Sequence, residues 1–550
     1  MSKYHSFVRI GRIISGLVFV LGLSNNPSLP HAAAATTLVE EGKARATIVL
    51  PESPTQDEVL AAAELREHVR KISGVELPCV LGRNSVSGHN AVLLGRAAPE
   101  AMVDAVRRKS NSPAAFAVMV EDGGIAIRGL PEPATEPPRR MKQPLTTVEA
   151  AAKLLKDREL AAHGRVPQPL GTRNGVYELL EQIGVRWFLP AEIGTVIPDK
   201  ATIRVQEQKT IQTPSFPSRY LQAVRAPVWE SRLRSGGMRF PSSHGIPGFG
   251  HGAELYKKHP EWYALIDGER RPRQLCVSNP RVMQRAIEHA RQFFRERPNA
   301  QIIGMGPFDG RGFCECEECR ALDGGDYDPF GHYTSMTDRY VWFFNKVLES
   351  MENEFPEKRI GFYAYSVYNR PPVKWDPDDR IVPAVALITL CRMHGMENPV
   401  CPEKSYQKWI VQEWGKLVPE VYDRGYWFNL ADPGLPFFQI SRVAREVPLG
   451  RELGIRGWRV EAPYNWASSA PTRYLAMKLM WNHEQDVELL LDDFYTKFFG
   501  PAAKPMRTYM ETMDHARRDA DYHTGSSWDV PKVYDETVRA AARQALKRAA

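Results

Sequence analysis

Three cysteines, Cys314, Cys316 and Cys319, fall within six residues in the stretch FDGRGFCECEECRALDGG, just after Asp309. The C-x-C-x-x-C spacing offers three thiolates to one metal ion. A structural zinc ion takes four ligands, and Cys276 is the candidate fourth. The alternatives are a disulfide with a thiol left over, or a set of reduced structural cysteines. The chain has seven cysteines, Cys79, Cys391 and Cys401 being the others, so they cannot all pair internally. A catalytic thiol is disfavoured, because Glu315, Glu317 and Glu318 surround the trio and would raise its pKa.

Carboxyl groups offer a second chemistry. Breaking a glycosidic bond needs two of them, one to protonate the leaving oxygen and one to activate water or attack the sugar. Whether a given acid can serve depends on the element that positions it. From about residue 215 onward, strand-like runs alternate with helices. The runs are 218–224, 237–240, 273–277, 301–306, 360–366, 382–389, 425–429 and 455–461, and helical patterns cover 280–296, 334–352, 404–422, 439–452 and 470–482. Eight such alternations predict a (β/α)8 TIM-like barrel over 215–485. In that fold, functional side chains stand at the C-terminal ends of the strands. Asp309 follows the fourth run and Glu461 ends the eighth, across the barrel from each other. They are the candidate acid and base or nucleophile. Tyr363 and Tyr365 end the fifth run, Cys391, Arg392 and His394 follow the sixth, and Trp427, Asn429 and Asp432 the seventh. The loop after the second run, SSHGIPGFGHGAELYKKHPEWY, carries His244, His251 and His259. His251, Tyr365, Arg392, Asn429 and Asp432 are the candidate substrate-binding residues. Cys276 ends the third run, beside the fourth, so it can meet the trio.

Upstream, residues 45–205 read as a small α/β domain: the strand ATIVL, a helix stopped at Gly74, the strand AVLLG, a hairpin at Asp122-Gly123-Gly124, then a helix and a strand in GVYELLEQIGVRWFLP. A polar, Pro-rich insertion at about 131–168 is expected to be an exposed loop with one short helix. Residues 486–550 read as a helical C-terminal region broken at Gly500-Pro501. Residues 1–35 have the form of a signal peptide: Lys3, Arg9 and Arg12, an apolar Ile13–Leu23 core, then Ala32 to Ala35. Export to the periplasm or outside the cell is the expectation, with no stable membrane insertion. Net charge is +7, three of the positive charges lying in that leader, and the basic residues are interspersed with acids. No nucleic-acid stripe is present. Aromatic content of 10%, with 12 Trp, suits stacking on sugar faces.

Several separated motifs carry a family resemblance: GVYELLEQIGVRWFLPAEIGTVIP, QLCVSNP, FDGRGFCECEECRALD, TDRYVWFFNKVLESMENEFPEKRIGFYAYS and LMWNHEQDVELLLDDFYTKFFGPAAKPM. Over about residues 45–515 the chain resembles a bacterial family of exported proteins labelled as a domain of unknown function. That family is similar to glycoside hydrolases of the α-glucuronidase and β-hexosaminidase type. The resemblance implies a small α/β domain leading into a barrel with a carbohydrate site. The β-hexosaminidases use an Asp-Glu pair after strand four, where this chain has Asp309-Gly310, so only the Asp carries over. The expected function is an exported glycoside hydrolase acting through Asp309 and Glu461, with no catalytic cofactor and a possible structural zinc at Cys276, Cys314, Cys316 and Cys319. The alternatives are a non-catalytic carbohydrate-binding protein on a barrel scaffold, and a metal-dependent hydrolase or lyase.

Overall fold

The computed structural model describes residues 35–550, apart from 83–89, 122, 133–144, 157–166, 223–225, 239, 241–243, 247, 250–252 and 463–464. The leader read at residues 1–35 lies almost wholly outside the described residues. The chain has an α/β fold with mixed sheets and many helices. No helix among the described residues is long and apolar enough to cross a membrane.

The N-terminal unit is a six-stranded mixed sheet covered by the helices Gln56–Ser73 and Gly171–Gln182. The first helix begins at a capping box, with Thr55 and Glu58 serving each other's backbone amides. It ends at Gly74, whose φ of 74° is left-handed. The hairpin Phe116–Glu121 and Gly124–Gly129 forms where the sequence places it. The strand Gln208–Gln212 pairs with it, so the unit runs past residue 205. Within the insertion, the helix Val148–Lys156 is not merely exposed: Val148, Ala151 and Leu154 are buried in the core.

The second unit is built on six parallel strands. Across the sheet they run Ser218–Gln222, Ile455–Glu461, Val421–Asp423, Ile381–Ala386, Arg359–Tyr365 and Ile302–Gly304. Both faces are buried, as in a parallel sheet covered by crossover helices. On one face the period-two residues Val382, Ala384 and Ala386 pack with Ile302, Tyr363, Tyr422 and Phe240. On the other, Ile360, Phe362 and Val385 join the large core that includes the helices Pro280–Glu296, Thr337–Met351 and Pro402–Leu417.

The described residues do not close an eight-stranded barrel. Two of the expected strands lie elsewhere. Gly236–Gly237 pairs antiparallel with Ser218–Arg219 at the sheet edge, at φ values of 141° and 94° that suit glycine alone. The expected strand 273–277 falls in Glu269–Leu275, which folds back on Tyr263–Ile266. The cause is Asp267-Gly268, whose φ values of 51° and 80° make a tight two-residue hairpin turn. A third strand is displaced: the seventh is Val421–Asp423, not 425–429.

The C-terminal helices Val487–Phe499 and Ala503–Arg518 are separated at Gly500. The chain then leaves helical geometry, and residues 520–525 return to the sheet unit before the last helix, Glu536–Ala549.

Candidate active site

Glu461 ends its strand beside Gln222, the last residue of the neighbouring strand. Its amide donates to the Gly425 carbonyl at 2.9 Å, which fixes it to the turn after Asp423. That turn presents Arg424, whose guanidinium pairs with Glu461 Oε2, donates to Gln222 Oε1 and reaches the Tyr363 hydroxyl at 3.2 Å. Arg424 also donates to the Tyr426 hydroxyl at 3.2 Å, and its charge lies 5.2 Å from the Tyr363 ring centre. Burial opposes its charge, but Tyr363, Tyr426 and Glu461 outweigh that and raise its pKa.

Asp309 stands on the loop after Ile302–Gly304 and is exposed. Its backbone is gripped from beneath. The buried Gln274 side chain donates to the Phe308 carbonyl at 2.6 Å and the Gly310 carbonyl at 3.3 Å, and accepts from the Phe308 amide at 2.8 Å. The Gly245 amide donates to Pro307 at 2.8 Å. A Cβ at Gly245 would come within 2.7 Å of Phe308, so only glycine lets the His244 loop approach the Asp309 loop this closely. His244 thereby packs 5.3 Å from the Tyr363 ring and 5.4 Å from the Tyr365 ring.

The electrostatics tie these groups into one mouth. Burial lowers the His244 pKa; Arg424 adds to this, while Asp309 and Glu461 oppose it. Burial raises that of Tyr365, as do the charges of Asp309 and Glu461. Tyr426 is pushed up to about 12, chiefly by burial and with Glu461 adding to it, against Arg424. Two carboxylates therefore act on the same imidazole and the same phenol, flanked by neutral hydrogen-bonding groups and one guanidinium.

The structure brings together Asp309, Glu461 and Tyr365, with Arg392 at the border. The Arg392 guanidinium lies 5.9 Å from the Tyr426 ring centre and donates from Nε to the Gly525 carbonyl at 2.9 Å. Its Nη1 is buried with no hydrogen-bond partner among the described residues. Asn429 and Asp432 are placed differently. Asn429 Oδ1 accepts from the Ala431 and Asp432 amides at 3.1 and 3.2 Å, and Asp432 Oδ1 accepts from Gly434 at 3.0 Å, so both build turns. His251 lies outside the described residues. His259 stacks on Trp262 at 3.9 Å, away from the mouth residues. Arg424, Tyr426 and Gln222 were missed in the sequence. Their signal was the short run Val421-Tyr422-Asp423 between Pro419 and Gly425, which puts Arg424 and Tyr426, not Asn429, just past a strand end.

The four cysteines Cys276, Cys314, Cys316 and Cys319 are buried, with all four sulfurs within 4.8 Å of one another. Cys276 Sγ lies 3.7 Å from that of Cys316 and 3.8 Å from that of Cys319. A tetrahedron of sulfurs about 2.3 Å from a zinc ion has edges of about 3.8 Å, whereas a disulfide is about 2.05 Å long. The surroundings donate to sulfur: the Leu265 amide reaches Cys314 Sγ at 3.3 Å and the Ser278 hydroxyl lies 3.1 Å from Cys319 Sγ. Arg339 donates to the Cys314 carbonyl at 2.8 Å.

A cavity of about 720 Å³ lies elsewhere, at the seam between the two units, lined by Glu64, Trp187, Trp229 and Arg232 among others. None of the mouth residues lines it.

Residues 189–511 match the family described as Domain of unknown function (DUF4838). The chain belongs to this family. No curated protein is significantly similar to it in sequence. Among solved structures it is similar to a family GH115 4-O-methyl-α-glucuronidase with specificity for decorated arabinogalactans, at 12% identity and a TM-score of 0.52, covering 88% of this chain and 62% of that one. The chain thus spans less than two thirds of that enzyme's length. It is also similar to a Streptomyces plicatus β-hexosaminidase, at 11% identity and a TM-score of 0.41, covering 86% of this chain and 93% of that one. At such identities the likeness is one of fold, and the DUF4838 chain's chemistry must be argued from its own residues.

Proposed function

We propose that the protein is a glycoside hydrolase whose reaction takes place at the C-terminal ends of the six parallel strands of the second unit. The observation that carries this is the chain of contacts that runs from Glu461 through Arg424 and Tyr363 to His244, whose neighbour Gly245 bonds Pro307 on the loop of Asp309. Arg424 pairs with Glu461 Oε2 and stabilises negative charge there, which suits the base or nucleophile. Asp309, held by Gln274, is assigned the acid that protonates the leaving oxygen. His244, Tyr365 and Tyr426 would orient sugar hydroxyls. Arg392, with Nη1 buried and unpartnered at the edge of the mouth, would favour an anionic substituent, so the substrate class is a glycan bearing uronic acid. The fold likeness to an α-glucuronidase supports that class without assigning it.

Export, read from residues 1–35, is part of the proposal. So is a structural zinc on Cys276, Cys314, Cys316 and Cys319, whose sulfur spacing fits it. It would pin the loop that carries Asp309. Four buried thiolates leave no open coordination position, which argues against the metal-dependent alternative at this cluster.

The test is hydrolysis of chromogenic glycosides and uronides by wild type, Asp309→Asn and Glu461→Gln, with circular dichroism to check folding. Each substitution is expected to lower kcat/KM by about a thousandfold or more, the scale of losing one member of a catalytic pair. Folded variants that cleave as well as wild type would overturn the assignment. Binding of glycans without cleavage by wild type would favour the carbohydrate-binding alternative.

A further inference from the structure

A second ligand cluster lies on the same unit, apart from the cysteines already described. Cys391, His394, Cys401 and His523 bring one ligand atom each to within 4.8 Å of the others; the first three are buried and His523 is half-buried. The first three lie on the segment that follows the strand Ile381–Ala386, and His523 comes from the returning segment near the C-terminus.

Three observations point to an ion here. First, Cys391 Sγ lies 3.4 Å from His394 Nδ1. A zinc ion with a sulfur at about 2.3 Å and a nitrogen at about 2.0 Å, at a tetrahedral angle, sets them about 3.5 Å apart. Secondly, His394 Nε2 lies 3.1 Å from the Ala520 carbonyl. That carbonyl can only accept, so Nε2 carries the proton and Nδ1 turns its lone pair toward Cys391, the arrangement by which outer groups orient metal-binding histidines. Thirdly, His523 Nδ1 is buried with no hydrogen-bond partner among the described residues. Cys401 is also set in place: the Asn398 side chain accepts from its amide at 2.9 Å, and its residue caps the helix Pro402–Leu417.

We propose that Cys391, His394, Cys401 and His523 form a second, Cys2His2 metal site that takes zinc and fastens the C-terminal segment to the mouth. Arg392 sits between two of the ligands in sequence. Its amide donates to the Thr524 carbonyl at 2.7 Å, its Nε to Gly525, and its charge lies over Tyr426. Metal binding would thus hold residues 523–525 and the Arg392 edge of the mouth in one arrangement. The site stands on its own ligands and does not depend on the carbohydrate reading.

The experiment measures zinc by mass spectrometry in the purified full-length chain, in His523→Ala and in Cys391→Ser/Cys401→Ser. Wild type is expected to hold two zinc ions per chain, and each variant one. Cobalt substitution supplies a second readout if the double variant fails to fold. Wild type should then show thiolate-to-cobalt absorption from six sulfurs, and His523→Ala a spectrum that has lost the band of the two-sulfur site. Trypsin should cut near Arg517 and Arg518 faster in His523→Ala. One zinc in wild type with the Cys276 cluster intact would overturn the proposal, as would full zinc retention in His523→Ala. A Cys391–Cys401 disulfide found by peptide mapping of metal-free wild type would do the same.

Discussion

The two sulfur clusters do different jobs in the same unit. The cluster at Cys276, Cys314, Cys316 and Cys319 joins the hairpin Tyr263–Leu275 to the loop that carries Asp309. Its four sulfurs come from two neighbouring segments, one of which follows directly on the loop of Asp309. The cluster at Cys391, His394, Cys401 and His523 joins a loop after one strand to a segment more than a hundred residues later. It borders the mouth only through Arg392. With a metal bound, one cluster would fix where a carboxylate sits and the other where residues 520–525 run. The comparison teaches that two similar ligand sets can differ in consequence because of what hangs from them.

The largest effect should follow from breaking the first cluster. Cys276→Ser would remove one of the four proposed zinc ligands, and structural zinc sites supply much of the folding free energy of the loops they close. We expect several kcal/mol of lost stability, read as a fall in urea midpoint, together with loss of hydrolysis. His523→Ala should cost far less in stability and should raise KM more than it lowers kcat, because the role proposed for Arg392 is to bind substrate and not to react. Equal losses in the two variants would erase the distinction.

Gln274→Leu offers a finer probe of the same loop. The amide side chain makes three hydrogen bonds to the backbone on either side of Asp309, and it lies outside the sulfur set. Misplacing a reacting group by about 1 Å costs on the order of a hundredfold in rate. The expected result is a kcat about ten- to a hundredfold lower with zinc content unchanged. A drop in zinc content would mean that Gln274 acts on the cluster, not on Asp309.

The two clusters were not equally legible in the sequence. Three cysteines in six residues announce themselves, and Cys276 at the end of an apolar run completes the set. Cys391, His394 and Cys401 are spaced loosely, and His523 lies in a tail whose composition reads as helix. Nothing local says that residues 520–525 turn back. The parallel strands 302–304, 359–365, 381–386 and 455–461 were legible because buried β-branched and aromatic runs alternate with amphipathic helices. Gly236–Gly237 and Glu269–Leu275 were misread because apolar content was weighed above turn chemistry, and Asp267-Gly268 was the overlooked signal. The displaced seventh strand had the largest functional cost. Placing it at 425–429 put Asn429 and Asp432 at the mouth and hid Arg424, the guanidinium that organises it.

Beneath the second cluster, the buried charges make a last and smaller contrast. Asp423 ends the seventh strand, wholly enclosed, with Gln407 Nε2 3.4 Å from one oxygen and no partner for the other among the described residues. Burial, with Glu446 adding to it, pushes its pKa up to about 7, against the cations Lys404 and Arg442. A carboxyl whose folded pKa lies above its unfolded value of 3.8 binds its proton more tightly when folded. The stability this provides is fully present below about pH 4 and is lost as pH rises through about 7. A shift of about three units corresponds to about 4 kcal/mol at most. Asp423→Asn keeps the shape and one acceptor for Gln407 but cannot ionise. It should flatten the fall in stability between pH 4 and 7 seen by urea unfolding, and at pH 8 should be more stable than wild type by about 1–3 kcal/mol. Beside the first cluster, Asp323 is instead paired with Arg339. An unchanged slope over pH 4–7 in Asp423→Asn would show that this enclosed acid does not set the pH dependence of stability.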